Sequence, residues 1–472
     1  MKINRFIKTA LVFLTGNMLS KLVSFFLLPL YTNKIDPGQF GNYDVVVSFI
    51  NLVVPIAFFQ IWDGMYRYAF DYAERKDKQG VISNSVLVCC VGLLFYVALF
   101  SLLQIFLGLD YFILVLVYGV LYAAHYLHTY SARIYLSNTL FVASGVASTL
   151  ITALCNIVLI LGFGWDVKAI YVSSIVGMLV QVLIIEIRIG VFRHFSIKAL
   201  DKALIKQMLR FSIPLCVATV SYWLLSGLTR IFIQSLVGDY ANGLYAVANK
   251  FGSLITLFVS VIQFAWNETA YIMTESDTTA KFKKYSISMN VMTIGVIYGS
   301  ALLCLAIKIV FPYLIDNQYA DALALIPSTV IGVAANALAG FSATIFMAEK
   351  RNAFLTVSTF MASAFNIIAG YIAAKFFGVQ GAIVVLAFCF LLLYLMRIIR
   401  LAFVYKIKID LLSVLVGSVV LFLAIWSFYN VDSTVWTLLI CVAVIVVMIT
   451  SSYKYIIPML PIHRRNNEDN KD

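Results

Sequence analysis

Three basic residues lie inside long apolar segments of this chain, where a positive charge is rare. They are Lys21, Arg230 and Lys250. A charge at the centre of a lipid bilayer costs about 2.5–3.5 kcal/mol even on the most lenient insertion scale, so such a residue seldom faces lipid. Ammonium and guanidinium groups that line a cavity bind phosphate through charge-assisted hydrogen bonds. The sequence therefore predicts a cationic site for an anionic ligand.

The segments that carry these residues have the length and composition of membrane-spanning helices. The chain of 472 residues is 62% hydrophobic and 12% charged. A spanning helix needs about 20 apolar residues, whereas a strand of a membrane barrel needs only ~10. The predicted fold is an all-α, polytopic transmembrane bundle. We predict fourteen spans, at approximately 9–33, 40–62, 82–107, 112–136, 140–162, 169–189, 211–236, 243–267, 286–310, 322–347, 354–376, 381–404, 410–429 and 435–457.

The basic residues outside the spans are distributed unequally between the two sides of the predicted membrane. With the N-terminus inside, the external loops hold only Lys34, Lys168, Lys308 and Lys375. Cytoplasmic loops of membrane proteins are enriched in Lys and Arg, so both termini are predicted to be cytoplasmic. Basic loops that face anionic lipid headgroups account for the net charge of +12, and no nucleic-acid partner is needed. The first apolar segment lacks a cleavage site and is predicted to be retained rather than removed as a signal peptide.

Short matches between the two halves of the chain indicate an internal duplication. Tyr130–Tyr135 resembles Phe341–Phe346 at an offset of 211, and Gly41-Asn42-Tyr43 resembles Gly243-Leu244-Tyr245 at an offset of 202. The offset covers six spans, so both copies cross the membrane in the same direction, as in carriers with parallel repeats. The predicted organisation is an N-terminal lobe at 1–189, a basic cytoplasmic linker at 190–210, a C-terminal lobe at 211–404, two additional spans within 410–457 and a polar cytoplasmic tail at 458–472.

Polar residues on the second span form a stripe at helical spacing. Asp44 and Asn51 lie on it with Ser48, and Asp44 is the most plausible acidic partner for one of the deep cations. It can neutralise only one of the three. Asp63 and Arg67 lie at the cytoplasmic end of this span, where they form either part of the cavity or a simple interfacial pair.

Depth estimates place two of the cations at a similar level of the membrane. Arg230 lies in the outer half of the seventh span, and Lys250 lies about two turns below the outer end of the eighth, next to Asn249. We expect Lys21, Arg230 and Lys250 to face the space between the lobes. Asp44, Asn51, Asp63, Arg67 and Asn249 are the accompanying candidates for cavity or ion-coupling roles.

Catalytic and metal-binding motifs are absent from the sequence. It has no phosphate-binding loop of the Walker A type, no G-x-S-x-G, no H-E-x-x-H and no metal-spaced Cys/His cluster. We therefore expect neither an enzyme nor a cofactor. His125 and His128 on the fourth span have the pKa range of proton relays, but a polar role in the core is the simpler interpretation.

The junction of the first and second spans resembles a known family. Leu-Pro-Leu-Tyr-Thr at 28–32 is followed by Gln-Phe-Gly-Asn-Tyr at 39–43, and the paired Asn-Ile dipeptides at 156–157 and 366–367 fit the same pattern. These motifs resemble those of bacterial polysaccharide-transport flippases of the Wzx type. These flippases belong to the multidrug/oligosaccharidyl-lipid/polysaccharide exporter (MOP) superfamily.

This resemblance implies a two-lobed bundle in the bacterial cytoplasmic (inner) membrane. Its implied substrate is an undecaprenyl-diphosphate-linked oligosaccharide, such as an O-antigen unit of lipopolysaccharide or a capsule unit, which alternating access would carry across. The implied partners are membrane lipids, a coupling ion (H⁺ or Na⁺), a polysaccharide polymerase and a chain-length regulator. Relatives of this type bind the diphosphate-sugar headgroup in a basic cavity, for which Lys21, Arg230 and Lys250 are the candidates.

Three other functions compete with this one. A cation-coupled multidrug antiporter of the same superfamily requires buried carboxylates, whereas the deep charges here are mainly positive. A lipid II flippase differs only in the sugar headgroup that it carries. A polysaccharide polymerase or ligase needs a large external loop, and the longest predicted one, at about 311–320, leaves little room for an acceptor glycan.

Overall fold

The computed structural model describes residues 18–19, 21–72, 74–108, 110–272, 278–349, 351 and 353–456. The structure is 89% helical and has no strand within these ranges. Twelve of the described helices are long and apolar enough to cross a membrane. The predicted fold class is confirmed, and the chain is a multi-pass membrane protein. The cytoplasmic location of the termini stays a prediction.

The helices follow one another with short connections. A π-helical turn at Val158–Gly162 extends α6, and a 3₁₀ turn at Ile197–Ala199 precedes α8. In chain order they are α1 (Leu28–Lys34), α2 (Pro37–Ala57), α3 (Ile61–Ala69), α4 (Arg75–Leu107), α5 (Phe112–Ile134), α6 (Asn138–Ile157), α7 (Val167–Ile189), α8 (Lys202–Ser226), α9 (Leu228–Leu236), α10 (Asp239–Gly252), α11 (Leu254–Ile272), α12 (Thr278–Leu314), α13 (Ala322–Ala348), α14 (Ala353–Tyr405), α15 (Leu411–Asn430) and α16 (Thr434–Ile456).

Most predicted spans correspond to single helices, but the boundaries differ in several places. Helix α14 has 53 residues and contains two predicted spans, which are separated by the non-helical backbone of Gly378 at φ 63°. Three predicted spans are interrupted: the second between α2 and α3, the seventh between α8 and α9, and the eighth between α10 and α11. Helix α8 begins at Lys202, so the second half of the predicted linker is already part of this helix. Residues 9–17 of the first span and the predicted tail at 458–472 lie outside the described residues.

The chain divides into two compact units. Among the described residues, the first unit contains those between 18 and 234 and those at 238–243, and the second contains 235–237 and those between 244 and 456. Helix α8 and most of α9 therefore pack with the helices that precede them.

Close backbone packing in the first unit explains one of the repeated motifs. A Cβ atom on Gly41 of α2 would lie 2.6 Å from the backbone nitrogen of Gly243 and would overlap the carbonyl oxygen of Asp239. A Cβ on Gly243 would overlap the carbonyl oxygen of Pro37. The side-chain amide of Asn242 donates to the carbonyl of Gly41 over 2.7 Å. Glycine is needed at both positions because the two backbones touch.

An asparagine on α4 forms hydrogen bonds with the backbone of the loop that precedes α8. The amide nitrogen of Asn84 donates to the carbonyl of Ala199 over 2.9 Å, and its oxygen accepts from the backbone N–H of Asp201 over 2.8 Å. Asp201 then caps α8 by accepting from the N–H of Ala203 over 2.8 Å. The start of α8 is thus fixed to α4 by one side chain that satisfies a backbone donor and a backbone acceptor.

The second unit contains the same arrangement, again with an asparagine and an aspartate. The amide nitrogen of Asn290 on α12 donates to the carbonyl of Lys408, and its oxygen accepts from the N–H of Asp410, both over 2.8 Å. Asp410 caps α15 by accepting from the N–H of Ser413 over 3.4 Å. The two units therefore share these side-chain contacts at the first residues of α8 and α15, outside the segments that match in sequence.

We expect the two asparagines to contribute similarly to stability. Replacing Asn84 or Asn290 with Ala leaves one backbone donor and one acceptor without their partner, at a cost of about 1–3 kcal/mol. Each variant should unfold at a lower temperature in detergent than the wild type. Asn430→Ala is the control, because the Asn430 amide is exposed and donates to the carbonyl of Trp426 in its own helix over 2.8 Å. Equal melting temperatures for all four proteins would show that the contacts of Asn84 and Asn290 with the loops do not contribute to stability.

Candidate functional site

One of the three deep cations forms an ion pair inside the first unit. The Nε of Arg230 donates to Oδ2 of Asp44 over 2.6 Å, and Nη1 donates to the carbonyl of Ser226 over 3.1 Å. The Arg230 and Asp44 side chains are only 15% and 21% exposed. Charge-assisted bonds of this length are stronger than neutral hydrogen bonds. Of the three cations it is Arg230 that Asp44 neutralises.

Arg230 lies in the first turn of α9, directly after the break that separates α9 from α8. Gly227 separates the two helices, and the indole of Trp223 lies against it, so a Cβ on Gly227 would overlap the indole nitrogen. That nitrogen donates to the carbonyl of Ser48 on α2 over 2.7 Å. The indole bond and the Arg230–Asp44 pair therefore both attach this region to α2, about one turn of α2 apart.

Lys21 and Lys250 have exposed side chains. Lys21 lies in a helical stretch of the first unit, before α1, and Ser24 beside it is also exposed. Lys250 belongs to the second unit, near the end of α10, where its carbonyl accepts from the hydroxyl of Ser253 over 2.7 Å. Asn249 is half-buried, and Asn51 on α2 is exposed. The convergence of Lys21, Arg230 and Lys250 on one cavity stays a prediction.

Asp63 lies on α3 in a polar pocket of the first unit. Helix α2 ends at Ala57, shortly after Pro55, and Gln60 adopts the left-handed region at φ 46° before α3 begins. The Gln60 amide donates to Oδ2 of Asp63 over 2.7 Å, and its oxygen accepts from the hydroxyl of Thr219 over 2.9 Å. Burial raises the pKa of Asp63, and this outweighs the opposing effects of Gln60, Tyr130 and Arg133.

The raised pKa gives Asp63 a predictable effect on stability. Because folding favours the neutral carboxyl, burial of the carboxylate is unfavourable at pH 7, and this penalty disappears as the pH falls through the raised pKa towards the usual Asp range. Asp63→Asn removes the ionisation. We expect the melting temperature of the variant relative to the wild type to be highest near pH 7–8 and to fall on acidification. A difference that is independent of pH would contradict this assignment.

The alternative of a direct Asp63–Arg67 pair is wrong. Arg67 is exposed, and its Nη1 donates to Oδ1 of Asp71 over 2.8 Å. Asp63 is instead satisfied by Gln60, because the turn that precedes α3 directs the Gln60 amide towards it. Arg67 therefore belongs to a surface pair, a type that contributes little to stability.

A row of tyrosines runs along α5 in the first unit. Tyr118, Tyr122, Tyr126 and Tyr130 recur at every fourth residue, and each is half-buried. Neighbouring rings lie 6.2, 4.9 and 6.1 Å apart in this order. The hydroxyls of Tyr122 and Tyr126 are 3.2 Å apart. We call these four residues the tyrosine ladder; sequence reasoning missed it, although the i, i+4 spacing is visible in the sequence.

Further aromatic and charged groups extend the ladder. Trp62 of α3 stacks on Tyr126 with ring centroids 4.9 Å apart and an interplanar angle of 19°. The guanidinium of Arg133 lies 5.6 Å from the ring centre of Tyr130 and 4.8 Å from that of Tyr66. The result is a strip of aromatic rings and hydroxyl groups along α5. The carboxyl of Asp63 and the guanidinium of Arg133 lie near its Tyr130 end. Such a strip can stack on apolar ring faces while it donates and accepts hydrogen bonds.

Two buried polar arrangements occupy the cores of the units. In the first unit Nε2 of His128 lies 3.1 Å from Oε2 of Glu186, and Nδ1 lies 2.8 Å from the carbonyl of Ala124, which fits a polar core role for this histidine. In the second unit Arg397 is 7% exposed and donates to the carbonyl of Ala339 over 2.8 Å and to Oγ1 of Thr359 over 2.9 Å. The sequence analysis missed Arg397 because it lies about two turns from the end of its span, where a long cation usually reaches the surface.

The described structure thus defines a polytopic α-helical membrane protein with polar groups sequestered in its interior. Several solved structures share the fold of this chain. One is the inward-facing conformation of a multidrug resistance MATE family transporter of the MOP superfamily. Its TM-score is 0.62 at 12% identity, and the match covers 90% of this chain and 100% of the transporter chain. The lipid II flippase MurJ in an inward closed conformation has a TM-score of 0.65 and 13% identity, covering 96% and 100%.

A third similar structure is a mutant of the Vibrio cholerae MATE transporter VcmN, with a TM-score of 0.52, 13% identity and coverage of 84% and 96%. At these identities the similarity establishes the fold alone. A search of curated protein sequences finds no significant match. The family is established by sequence: the profile described as "Polysaccharide biosynthesis protein" matches residues 6–266, more than half of the chain. The protein belongs to this polysaccharide biosynthesis family.

Proposed function

We propose that this protein is a flippase for a polyprenyl-diphosphate-linked oligosaccharide repeat unit, such as an O-antigen or capsule unit, in the bacterial cytoplasmic membrane. The observation that carries the proposal is the match to a polysaccharide biosynthesis family in a chain that has the fold of a transporter. A glycan assembled on a lipid inside the cell has to cross the membrane before export. Alternating access would carry the headgroup through the protein while the polyprenyl chain stays in lipid.

The diphosphate would interact with Lys21, Arg230 and Lys250. Arg230 is held by Asp44 in this structure, so an incoming diphosphate has to replace the carboxylate as the partner of the guanidinium. Two phosphate oxygens can accept from the same planar group, which makes the exchange favourable. Release of the substrate would restore the Arg230–Asp44 pair. The pair would thus report whether the site is occupied.

The carboxylates offer a route for the coupling ion, H⁺ or Na⁺. When Arg230 turns to the substrate, Asp44 loses its counter-charge and gains affinity for a cation. Asp63 is the second candidate, because its pKa is raised by burial. Either residue would link substrate binding to cation binding through charge balance alone.

The tyrosine ladder supports the sugar part of the proposal. Carbohydrate rings have apolar faces and a periphery of hydroxyl groups, and they stack on aromatic side chains that keep polar groups nearby. The half-buried rings of the ladder provide such faces over three turns of α5, and the buried indole of Trp62 supports Tyr126 from one side. We propose that sugars of the repeat unit stack on these rings.

Neutralising all three deep cations tests the proposal. In the variant Lys21→Ala/Arg230→Ala/Lys250→Ala we expect surface glycan to be lost and lipid-linked repeat units to accumulate on the cytoplasmic side. The matched control is Lys76→Ala/Arg193→Ala/Lys198→Ala, which removes three exposed cations that lie elsewhere in the chain. Normal glycan in a triple variant that still inserts would refute the cationic site.

Two outcomes would instead favour the competing functions. Resistance to lipophilic cationic drugs on expression, without an effect on glycan, would indicate a multidrug antiporter. Lethal depletion with accumulation of lipid II would indicate a lipid II flippase, because a repeat-unit flippase is conditionally dispensable.

A further inference from the structure

A basic cavity lies in the first unit where the ends of several helices meet. It is formed by the start of α4, the turn between α5 and α6, and the end of α7, and its volume is about 620 Å³. None of the residues above that were assigned to substrate or ion coupling lines it. Its lining residues are Arg75, Lys78, Tyr135, Leu136, Ser137, Thr139, Leu140, Ala143, Arg188 and Ile189.

Three cations face this cavity, and no described lining residue is acidic. Arg75, Lys78 and Arg188 come from the start of α4 and the end of α7. Glu74 and Asp77 flank Arg75 in the chain but do not line the cavity. Like charges around one cavity repel one another, and a bound anion removes this repulsion. The arrangement therefore favours an anionic ligand.

Tyr135 fixes the position of one of these cations. The guanidinium of Arg75 lies 5.2 Å from the centre of the Tyr135 ring, while the Tyr135 hydroxyl donates to Oε1 of Gln79 over 2.7 Å. A cation–π contact orients the guanidinium but leaves its charge and most of its N–H donors available. Arg75 is thus oriented before a ligand arrives.

The remaining lining divides into polar and apolar parts. Ser137 and Thr139 add hydroxyl donors beside the cations, and the Ser137 side chain does not cap α6. Leu136 lies between them and Tyr135 in the left-handed region at φ 53°, with its side chain 65% exposed. Leu140 and Ala143 continue the apolar side along α6. A ligand that fits both parts has a phosphate group and an adjacent hydrocarbon chain.

We propose that this cavity binds the phosphate of an anionic phospholipid headgroup, with the start of the acyl chains against Leu136, Leu140 and Ala143. All three cations belong to loops or helix ends that the charge distribution places on the cytoplasmic side, where anionic lipid headgroups attract clustered Lys and Arg. The site is separate from the proposed substrate site, and its existence does not depend on the transported molecule. Soluble phosphate could bind the same three cations, but it has no hydrocarbon chain to contact the apolar residues Leu136, Leu140 and Ala143.

The test uses the full-length protein, purified in detergent and titrated with phosphatidylglycerol or phosphatidylcholine. The cavity variant is Arg75→Gln/Lys78→Gln/Arg188→Gln, and the control with the same change in charge is Lys76→Gln/Arg193→Gln/Lys198→Gln. Retained lipid is counted by native mass spectrometry, and thermal stability is measured alongside. We expect the wild type and the control to retain phosphatidylglycerol in preference to phosphatidylcholine. Affinity of the cavity variant for phosphatidylglycerol should be at least about tenfold lower, because the three cations that attract the anionic headgroup have been removed.

A second arm distinguishes the source of the phosphate. Inorganic phosphate and pyrophosphate are added to delipidated protein, and the melting temperature is followed. Stabilisation by phosphatidylglycerol alone supports the headgroup assignment. Stabilisation by the soluble anions without retention of phosphatidylglycerol would overturn it, as would equal lipid retention by the cavity variant and its control. Because this assay measures lipid binding, a failed flippase proposal leaves its outcome unaffected.

Discussion

Replacing Arg230 with Ala should abolish glycan export and destabilise the first unit. The substitution leaves the Asp44 carboxylate, 21% exposed, without its counter-charge. Removing one partner of a buried ion pair costs about 3–5 kcal/mol, and the partial exposure here reduces this to about 2–4 kcal/mol. Thermal unfolding measures the stability, and surface glycan per inserted protein measures export.

A second variant separates the structural role of the pair from its role in transport. In Asp44→Asn/Arg230→Gln both charges are removed, and an uncharged pair in a buried site is about as stable as the ion pair. We expect the melting temperature to return to near the wild-type value while export stays absent, because the diphosphate has lost its guanidinium partner. Wild-type export by this double variant would mean that Arg230 serves only the fold.

Removing the rings of the tyrosine ladder should lower export more than removing its hydroxyls does. In Tyr122→Leu/Tyr126→Leu the π faces are lost, whereas Tyr122→Phe/Tyr126→Phe loses only the hydroxyl contact between the two residues. Each aromatic stacking contact contributes about 0.5–1.5 kcal/mol, so losing two should reduce the export rate roughly fivefold to a hundredfold. The Phe variant should stay within about twofold of the wild type.

The control for the ladder is Tyr313→Leu/Tyr453→Leu. These tyrosines are 84% and 62% exposed and lie outside the first unit. Trp62 provides a readout as the part of the tryptophan fluorescence that Trp62→Phe removes, since the chain has six tryptophans; this part should change when a lipid-linked oligosaccharide is added, because Trp62 stacks on Tyr126. If the Leu and Phe variants export equally well, or the signal from Trp62 does not respond to oligosaccharide, sugar stacking at the ladder is refuted.

Asp44 was predicted to be the partner of a deep cation because acidic residues are rare within the apolar segments. Within apolar helices a carboxylate and a guanidinium gain by meeting, so one acid among three cations restricts the pairings even without coordinates. Which of the three cations pairs with Asp44 was decided by the tertiary structure, which places the Arg230 guanidinium beside this carboxylate. The spacing of Asp63 and Arg67 at i, i+4 suggested a pair for the same reason, but the turn before α3 provided Gln60 instead.

The contacts of Asn84 and Asn290 are a similarity between the two halves that a comparison of their sequences does not detect. Asn84 and Asn290 occur in dissimilar local sequences, yet each binds one donor and one acceptor of the loop that follows its own half. The asparagines bind groups of the loop backbone, and every residue type except proline carries the same backbone N–H donor and C=O acceptor. The correspondence between the halves therefore persists in hydrogen bonds where the side chains of the loop differ.

By itself the sequence determined the class of this protein, because hydropathy and the distribution of charge are sums over many residues and need no coordinates. Long apolar segments required helices that span a membrane, and rare deep cations required partners within the protein. Tertiary structure alone decided the individual contacts: Arg230 with Asp44, Arg397 with the carbonyl of Ala339, Tyr126 with Trp62. These contacts depend on helix breaks and side-chain directions that vary within one turn of a helix. If a helix were shifted by one residue along its neighbours, each of these groups would meet a different partner, although the mean hydropathy of the segment would hardly change.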